Sequence, residues 1–158
     1  MAQCVAQISN DTIIPCGRQT SINLQLPWRS ITGNVSSHLN DSYFTNESEG
    51  YIVGANGVIL KTINKGETFS VLTSGTSETL NSIFFKSVSN GFCVGNNGTI
   101  LTTTNGGQTW TNQNIPNLTA SINSIFFVNN LTGYLAGSDG CLYKTINGGF
   151  SWVNVAPS

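Results

Sequence analysis

Residues that could support catalysis are few and scattered along the chain. General acid–base catalysis needs carboxylates or histidine at defined positions, and the chain has seven acidic residues and one histidine. Glu47 and Glu49 are close together, but the loop around them favours two solvated side chains. A Ser-His-Asp set would have to use His38 with Asp41, in a segment predicted to link two structural repeats. Such a set is not favoured. The sequence therefore predicts no catalytic residue and a protein that is not an enzyme.

Metal and cofactor sites are not predicted either. His38 has no Cys or His at the spacing of a zinc site. Calcium sites need several converging carboxylates or carbonyls, and the repeated Asn-containing turns do not supply them. The glycines lie at repeat turns, so they are interpreted as structural rather than as a phosphate-binding loop.

The four cysteines form two groups. Cys4 and Cys16 flank a short N-terminal segment, and a hairpin there could bring them within disulfide reach. Cys93 and Cys141 do not occupy equivalent repeat positions, so they are interpreted as small buried hydrophobic residues. A Cys4–Cys16 disulfide is a candidate, and a Cys93–Cys141 disulfide is not favoured.

These residues are set in a repeat of about 41 residues. The three copies read LNDSYF with GYIVGANGVILKTINKGETF, LNSIFF with GFCVGNNGTILTTTNGGQTW, and INSIFF with GYLAGSDGCLYKTINGGFSW. Repeats of this length with strand-like composition are typical of β-propeller blades. We predict an all-β, propeller-type array of four-stranded antiparallel blades, with three full repeats and a partial N-terminal blade.

Two turns recur inside each copy. The turn between the second and third strands reads GANG, GNNG or GSDG, and these residues tolerate the positive φ of tight hairpin turns. The turn between the third and fourth strands keeps an Asn and, two residues later, a Gly. The pairs are Asn64 and Gly66, Asn105 and Gly107, and Asn147 and Gly149. All six residues are predicted to be structural.

A large aromatic residue opens the last strand of each repeat and is predicted to pack between blades. These residues are Trp28, Phe69, Trp110 and Trp152. Trp28 marks the closing strand of a degenerate blade, so the repeat domain is predicted to span 28–158, with blades at about 39–72, 80–113 and 122–155. Residues 1–27 do not fit the period and are predicted to form a strand pair or cap.

The number of blades leaves a ring open, because propellers usually contain four to eight. An open arc would expose an apolar blade face at each end. The chain is predicted to be a segment of a longer propeller, to close a ring with a second copy, or to be capped by its N-terminal strands. The first two alternatives are favoured.

The motifs resemble those of a known family. The Gly-aromatic-x-x-Gly strand, the Gly-x-(Ile/Leu)-(Leu/Tyr)-x-Thr strand and the Thr-x-Asn-x-Gly-x-(Thr/Ser)-(Trp/Phe) box resemble the photosystem II stability/assembly factor-like repeat, a relative of the Asp-box (BNR) repeats of sialidases. The resemblance covers about 39–153 and implies a seven-bladed propeller or related ring, often in exported bacterial proteins. Asn replaces the acidic residue of the Asp-box in every copy, and it can still accept the hydrogen bond that shapes the turn. The arginine triad of sialidases cannot be assembled from Arg18 and Arg29 alone.

Composition limits the partners. Only six residues are Lys or Arg, and they are scattered, so nucleic acid and anionic membrane surfaces are not predicted as targets. No apolar run is long enough to insert into a bilayer. The polar, Asn- and Thr-rich composition favours a secreted or cell-surface protein whose mature chain lacks its signal peptide, with a cytoplasmic location left open. Asp139, Tyr143 and Phe150 break the repeat pattern, and no role is assigned to them.

These observations lead to one main functional prediction and two alternatives. We predict a non-catalytic binding or scaffold module of an exported or surface bacterial protein, which recognises a protein or glycan through its loops. The first alternative is a structural unit that closes a ring by self-association, as a homodimer, or with the missing blades of a longer chain. A glycosidase-like hydrolase is the weaker alternative.

Overall fold

The computed structural model describes residues 35–113 and 115–157. Within these residues, twelve β-strands pair into three four-stranded antiparallel sheets, each in simple meander order. This follows from the sequence because each repeat alternates short apolar runs with turns rich in Asn and Gly. The predicted all-β array of four-stranded blades is confirmed for the three full repeats.

The strand boundaries repeat closely from sheet to sheet. The first sheet contains β1 (Leu39–Phe44), β2 (Gly50–Gly54), β3 (Ile59–Thr62) and β4 (Ser70–Leu72). The second sheet contains β5 (Leu80–Phe85), β6 (Gly91–Gly95), β7 (Ile100–Thr103) and β8 (Thr111–Asn112). The third sheet contains β9 (Ile122–Phe127), β10 (Gly133–Gly137), β11 (Leu142–Thr145) and β12 (Val153–Asn154).

The turn between β6 and β7 has the predicted positive φ angles. Asn97 has φ 52° and Gly98 has φ 65°, which an Asn-Gly pair adopts at low cost. Thr99 follows this pair, and its N–H donates to the Asn96 carbonyl over 3.0 Å. It therefore belongs to the turn, and β7 begins at Ile100.

Apolar side chains fill two junctions between neighbouring sheets, which we call the first junction (sheets one and two) and the second junction (sheets two and three). Buried residues at the first junction include Tyr51, Ile59, Leu80 and Phe85. Buried residues at the second junction include Phe92, Ile100, Ile125, Phe127 and Trp152. Burying such faces against each other is the main stabilisation of stacked sheets.

The repeat tryptophans lie at these junctions. Trp110 is half-buried and packs against the first junction, with its ring centroid 6.1 Å from that of Phe85. Trp152 is part of the second junction, with its centroid 5.8 Å from that of Phe127. Phe69 is half-buried. Each of these three aromatic residues immediately precedes its fourth strand, which begins at the next residue.

Several predictions concern residues that the structure does not describe. They are the partial N-terminal blade with Trp28, the strand pair or cap at 1–27, and the Cys4–Cys16 disulfide. Among the residues that the structure does describe, no helix is long and apolar enough to span a membrane.

Candidate functional site

The turns between the third and fourth strands, called box turns here, share one hydrogen-bond network. In the second sheet, the Thr103 hydroxyl donates to Asn105 Oδ1 over 2.9 Å and accepts from the Gly107 N–H over 3.0 Å. Asn105 Oδ1 also accepts from the Thr109 N–H over 3.0 Å, and Asn105 Nδ2 donates to the Thr109 hydroxyl over 2.8 Å. The Asn side chain therefore closes the turn on itself.

The same network recurs around Asn64 and Asn147. Gly66 and Gly149 are in the same positive-φ region as Gly107, where a side chain would be strained. Both the oxygen and the nitrogen of each Asn amide are used inside the turn. Within 35–113 and 115–157, no group of three His, Cys, Asp or Glu side chains is arranged as a metal site.

At the first junction, three side chains of the first sheet, called the clamp, hold the box turn of the second sheet. Tyr51 Oη and Lys61 Nζ donate to the Gly106 carbonyl over 2.8 and 3.1 Å. Glu49 Oε1 lies 2.6 Å from Lys61 Nζ and 3.0 Å from Tyr51 Oη. Tyr51 and Lys61 are direct cross-strand partners, so antiparallel pairing of β2 and β3 brings the clamp together.

The clamp has the electrostatics of an ion pair beside a neutral phenol. The hydrogen bond from Lys61 lowers the pKa of Glu49, although burial opposes this effect. Burial lowers the pKa of Lys61, but its bonds with Glu49 and Tyr51 more than offset this, so the pKa is raised overall. Burial raises the pKa of Tyr51. The prediction of a solvated side chain is therefore wrong for Glu49, because Lys61 reaches it across the sheet.

At the second junction, a lysine from a different position holds the equivalent turn. Lys86 Nζ donates to the Gly148 carbonyl over 2.7 Å and lies 3.4 Å from the Asn130 carbonyl. The same nitrogen lies 5.2 Å from the ring centroid of Phe92 and 5.0 Å from that of Phe127, within cation–π range. Among the described residues, no carboxylate forms an ion pair with Lys86. Burial lowers the pKa of this lysine.

Beside Lys86 the second junction opens into a cleft of about 370 Å³. The buried Phe92 and Thr103 line it. Its walls carry the hydroxyl and amide side chains of Thr102, Thr104, Thr111, Asn112 and Gln113. Phe150 also lines the cleft, and its side chain is 89 % exposed. A half-buried cation and an exposed aromatic ring are thus presented on opposite sheets of one junction.

Gln113 adds a buried hydrogen-bond acceptor. Its Nε2 donates to the carbonyls of Gly149 and Phe150 over 2.7 and 3.0 Å. Its Oε1 is buried and accepts no hydrogen bond from any described residue. Because a buried acceptor without a donor costs about 1–3 kcal/mol, a ligand N–H that reached this oxygen would gain a favourable contact.

Differences at the three clamp positions and at the position of Thr45 distinguish the second junction from the first. The corresponding pairs, 41 residues apart, are Thr45 and Lys86, Glu49 and Asn90, Tyr51 and Phe92, and Lys61 and Thr102. The first repeat has its lysine in the third strand, at Lys61, whereas the second repeat has it directly after the first strand, at Lys86. The shorter Thr102 occupies the position of Lys61. In addition, Gln113 stands where Leu72 packs towards Gly107 at the first junction. Together these changes open the space that the clamp occupies.

The remaining candidate residues do not converge on the cleft. Asp41 Oδ2 accepts from the Ser82 hydroxyl over 2.8 Å and from the Ile83 N–H over 3.0 Å, so Asp41 connects the first two sheets. His38 is exposed. Cys93 and Cys141 are buried free thiols, and burial raises the pKa of both, which disfavours the reactive thiolate.

Of the residues that broke the repeat pattern, only Phe150 lines the cleft. Sequence reasoning missed Lys86 and Gln113. Aligning the repeats and asking where a charge changes position could have indicated Lys86, and asking where an apolar residue is replaced by a polar one could have indicated Gln113.

Sequence and structure comparisons place the chain among known proteins. The sequence profile of a family described as "Photosynthesis system II assembly factor YCF48" matches residues 69–158, more than half of the chain. No curated protein matches the chain in sequence.

Solved structures share the fold. A structure described as "YCF48 bound to D1 peptide" is 28 % identical, with a TM-score of 0.72 over 81 % of this chain and 43 % of that one. YCF48 from Cyanidioschyzon merolae is 22 % identical, with a TM-score of 0.72 over 83 % of this chain and 44 % of that one. An ancestral GH74 enzyme is 21 % identical, with a TM-score of 0.66 over 80 % of this chain and 20 % of that one. The last two similarities show the fold alone, and the chain spans less than half the length of the YCF48 structures.

Proposed function

The chain belongs to the family described as Photosynthesis system II assembly factor YCF48, and from this we propose that it is a non-catalytic module that binds an extended segment of a partner protein. The observation that carries the proposal is the cleft at the second junction. There the clamp residues are replaced, and groups that can bind a ligand line the space instead. The resemblance to a YCF48 structure with a bound peptide supports a polypeptide ligand rather than a glycan. The partner itself is identified only by chemistry, because the chain spans less than half of that relative.

The groups in the cleft define the peptide that it would bind. Lys86, a half-buried cation without a carboxylate partner among the described residues, suits an Asp or Glu side chain or a C-terminal carboxylate. Gln113 Oε1 suits a backbone N–H of the ligand. Phe150 suits an apolar or aromatic side chain, because an exposed ring offers contact area at little entropic cost.

A non-catalytic role is proposed because acidic side chains that could act in catalysis are engaged in contacts within the fold. Glu49 pairs with Lys61, and Asp41 connects two sheets. Neither carboxylate lines the cleft. An exported or cell-surface location is also proposed, and it rests on composition alone; fractionation of the source cells would test it.

A peptide display experiment tests the proposal. We would select binders from a random library of extended peptides about twelve residues long and measure their affinities by fluorescence polarisation. We expect selected peptides to contain an acidic residue near an apolar one. Lys86→Met should weaken binding about 10-fold or more, since a partly desolvated charge contact is lost, and Phe150→Ala should weaken it about 5-fold.

A matched control separates the cleft from general electrostatics. Lys65 lies on the exposed box turn of the first sheet, so Lys65→Met removes the same charge without touching the cleft and should leave affinity unchanged. Failure to select any binder, or equal affinity for Lys86→Met and the unaltered chain, would contradict the proposal. Binding to a glycan array that Phe150→Ala abolishes, with no peptide binding, would favour the glycan alternative.

A further inference from the structure

The outward face of the third sheet repeats two of the three clamp residues with which the first sheet binds the second. Tyr134 and Lys144 correspond to Tyr51 and Lys61 of the clamp. Lys144 Nζ lies 5.8 Å from the Tyr134 ring centroid, much as Lys61 Nζ lies 5.1 Å from that of Tyr51. In the first sheet these two side chains hold the Gly106 carbonyl of the next repeat. In the third sheet the described residues supply no such carbonyl.

The third sheet also carries the donor of a second series of hydrogen bonds between sheets. Asn40 Nδ2 donates to the Leu80 carbonyl over 2.9 Å, and Asn81 Nδ2 donates to the Ile122 carbonyl over 3.0 Å. Each bond connects one sheet to the first strand of the next. Asn123 is the third member of this series, and its side chain is exposed.

The turn after the second strand and the apolar residues of the third sheet also lack the neighbour that the other two sheets have. A side chain at Gly57 or Gly98 would collide with the carbonyl of a following linker residue, whereas the space around Gly140 is open within 4 Å. Phe126 is 58 % exposed, although its counterparts Tyr43 and Phe84 are half-buried against the next sheet. The third sheet therefore presents an apolar face with polar contacts suited to another copy of the repeat.

The same chain also exposes the complementary surface. Leu39 is 49 % exposed and Phe44 is 48 % exposed. Their counterparts in the second sheet, Leu80 and Phe85, are buried against the first sheet. The carbonyl of Lys65 occupies the position that corresponds to the clamped carbonyl of Gly106.

We propose that the third sheet of one copy binds the first sheet of a second copy head to tail, reproducing the first junction between molecules. Asn123 would donate to the partner's Leu39 carbonyl, and Tyr134 with Lys144 would hold the partner's Lys65 carbonyl. The contact is heterologous, and it forms a closed assembly when each copy uses both surfaces. Two copies would contribute six described sheets, within the usual propeller range of four to eight. The cleft at the second junction is not involved, so this proposal is independent of the function proposed above.

Light scattering across about 1 to 200 µM tests the contact, because association follows mass action. We expect the mass to approach twice 16.8 kDa as concentration rises. Leu39→Asp and Phe126→Asp, which place a charge on either surface, should each keep the chain monomeric. A mixture of the two should again form a dimer, because Leu39→Asp retains an intact third sheet and Phe126→Asp an intact first sheet.

A charge added outside the two surfaces provides the control. Val88 is exposed in a loop at the position that holds Glu47 in the first repeat, so Val88→Glu adds charge elsewhere and should dimerise normally. If circular dichroism shows that an Asp variant is unfolded, Asn123→Ala combined with Tyr134→Phe replaces it and should weaken dimerisation. An unaltered chain that stays monomeric throughout, or a mixture that stays monomeric, would overturn the proposal.

Discussion

The two junctions between sheets have the same backbone arrangement and different side chains. At the first junction, Glu49, Tyr51 and Lys61 occupy the space beside the box turn and satisfy one another. At the second, Lys86 and Gln113 hold the turn, and a cleft lies beside them. Since the strands and box turns are equivalent, the difference lies in a handful of side chains.

This contrast shows how a repeat protein can separate stability from binding. The box-turn network is kept in all three copies, and Lys86 and Phe150, which line the cleft, contribute no side chain to it. A clamp with an internal ion pair leaves no charge for a ligand, whereas an unpaired lysine does. The predictions below test whether this division holds.

The largest expected effect is on the apolar packing of the second junction. Trp152 is buried among Phe92, Ile125 and Phe127, so Trp152→Ala should lower the free energy of unfolding by about 3–5 kcal/mol. Trp110→Ala should cost less, because Trp110 is half-buried. Urea unfolding of both variants provides the comparison. Equal losses would mean that the second junction does not depend more strongly on its aromatic core than the first.

An intermediate loss of stability is expected when a box turn is disrupted. The loss should be similar at the first and second junctions. Thr103→Val removes the acceptor of the buried Gly107 N–H and should cost about 1–3 kcal/mol. Thr145→Val removes the same bond to Gly149 in the box turn at the second junction and should cost a similar amount. Thermal unfolding would measure both, and a difference greater than about 1 kcal/mol would show that the junctions differ in their scaffold as well.

A smaller effect with a distinct pH dependence is expected from the clamp. Glu49→Gln should cost about 1 kcal/mol near neutral pH. The pKa of Glu49 is lowered in the folded protein from its ordinary value of 4.5, so its stabilisation is present above that value and is lost as pH falls through the lowered pKa. The stability gap between the unaltered chain and the variant should therefore close as the pH falls well below 4.5.

Lys86→Met is the matched change at the second junction. Among the described residues Lys86 has no carboxylate partner, so the variant should show no comparable acid-dependent gap. Denaturant unfolding at several pH values checks both variants. A Glu49→Gln gap that persists unchanged at acid pH would contradict the assignment of an ion pair to the clamp.

The smallest effect is expected from restoring an acidic residue to the box. Asn105→Asp keeps the oxygen that accepts from Thr103 and Thr109, and loses the donor to the Thr109 hydroxyl, which can rotate and donate instead. The change in unfolding free energy should stay within about 0.5 kcal/mol. A calorimetric loss of several kcal/mol would show that the amide nitrogen is essential to the turn.

Much of the fold was predictable because its signals are local and repeated three times. The apolar run 80–85 and the Asn-Gly turn at Asn97 and Gly98 appear in the structure where the sequence places them. The cleft was not predictable in the same way. Lys86 and Gln113 meet the box turn of the next repeat, 62 and 36 residues away along the chain, and such distant contacts follow from the packing of sheets rather than from any local pattern. The ion pair of Glu49 was missed for the same reason, since Lys61 reaches it only across the β2–β3 pair.

The most direct test of the account transfers the clamp of the first junction to the second. The graft combines Lys86→Thr, Asn90→Glu, Phe92→Tyr and Thr102→Lys, which are the residues that the first repeat has at these positions. The measurement is the affinity of the grafted protein for peptides selected with the unaltered chain. We expect a folded protein of at least equal stability that binds these peptides at least about 10-fold more weakly. Unchanged affinity in a folded graft would contradict the claim that the second junction is the binding site.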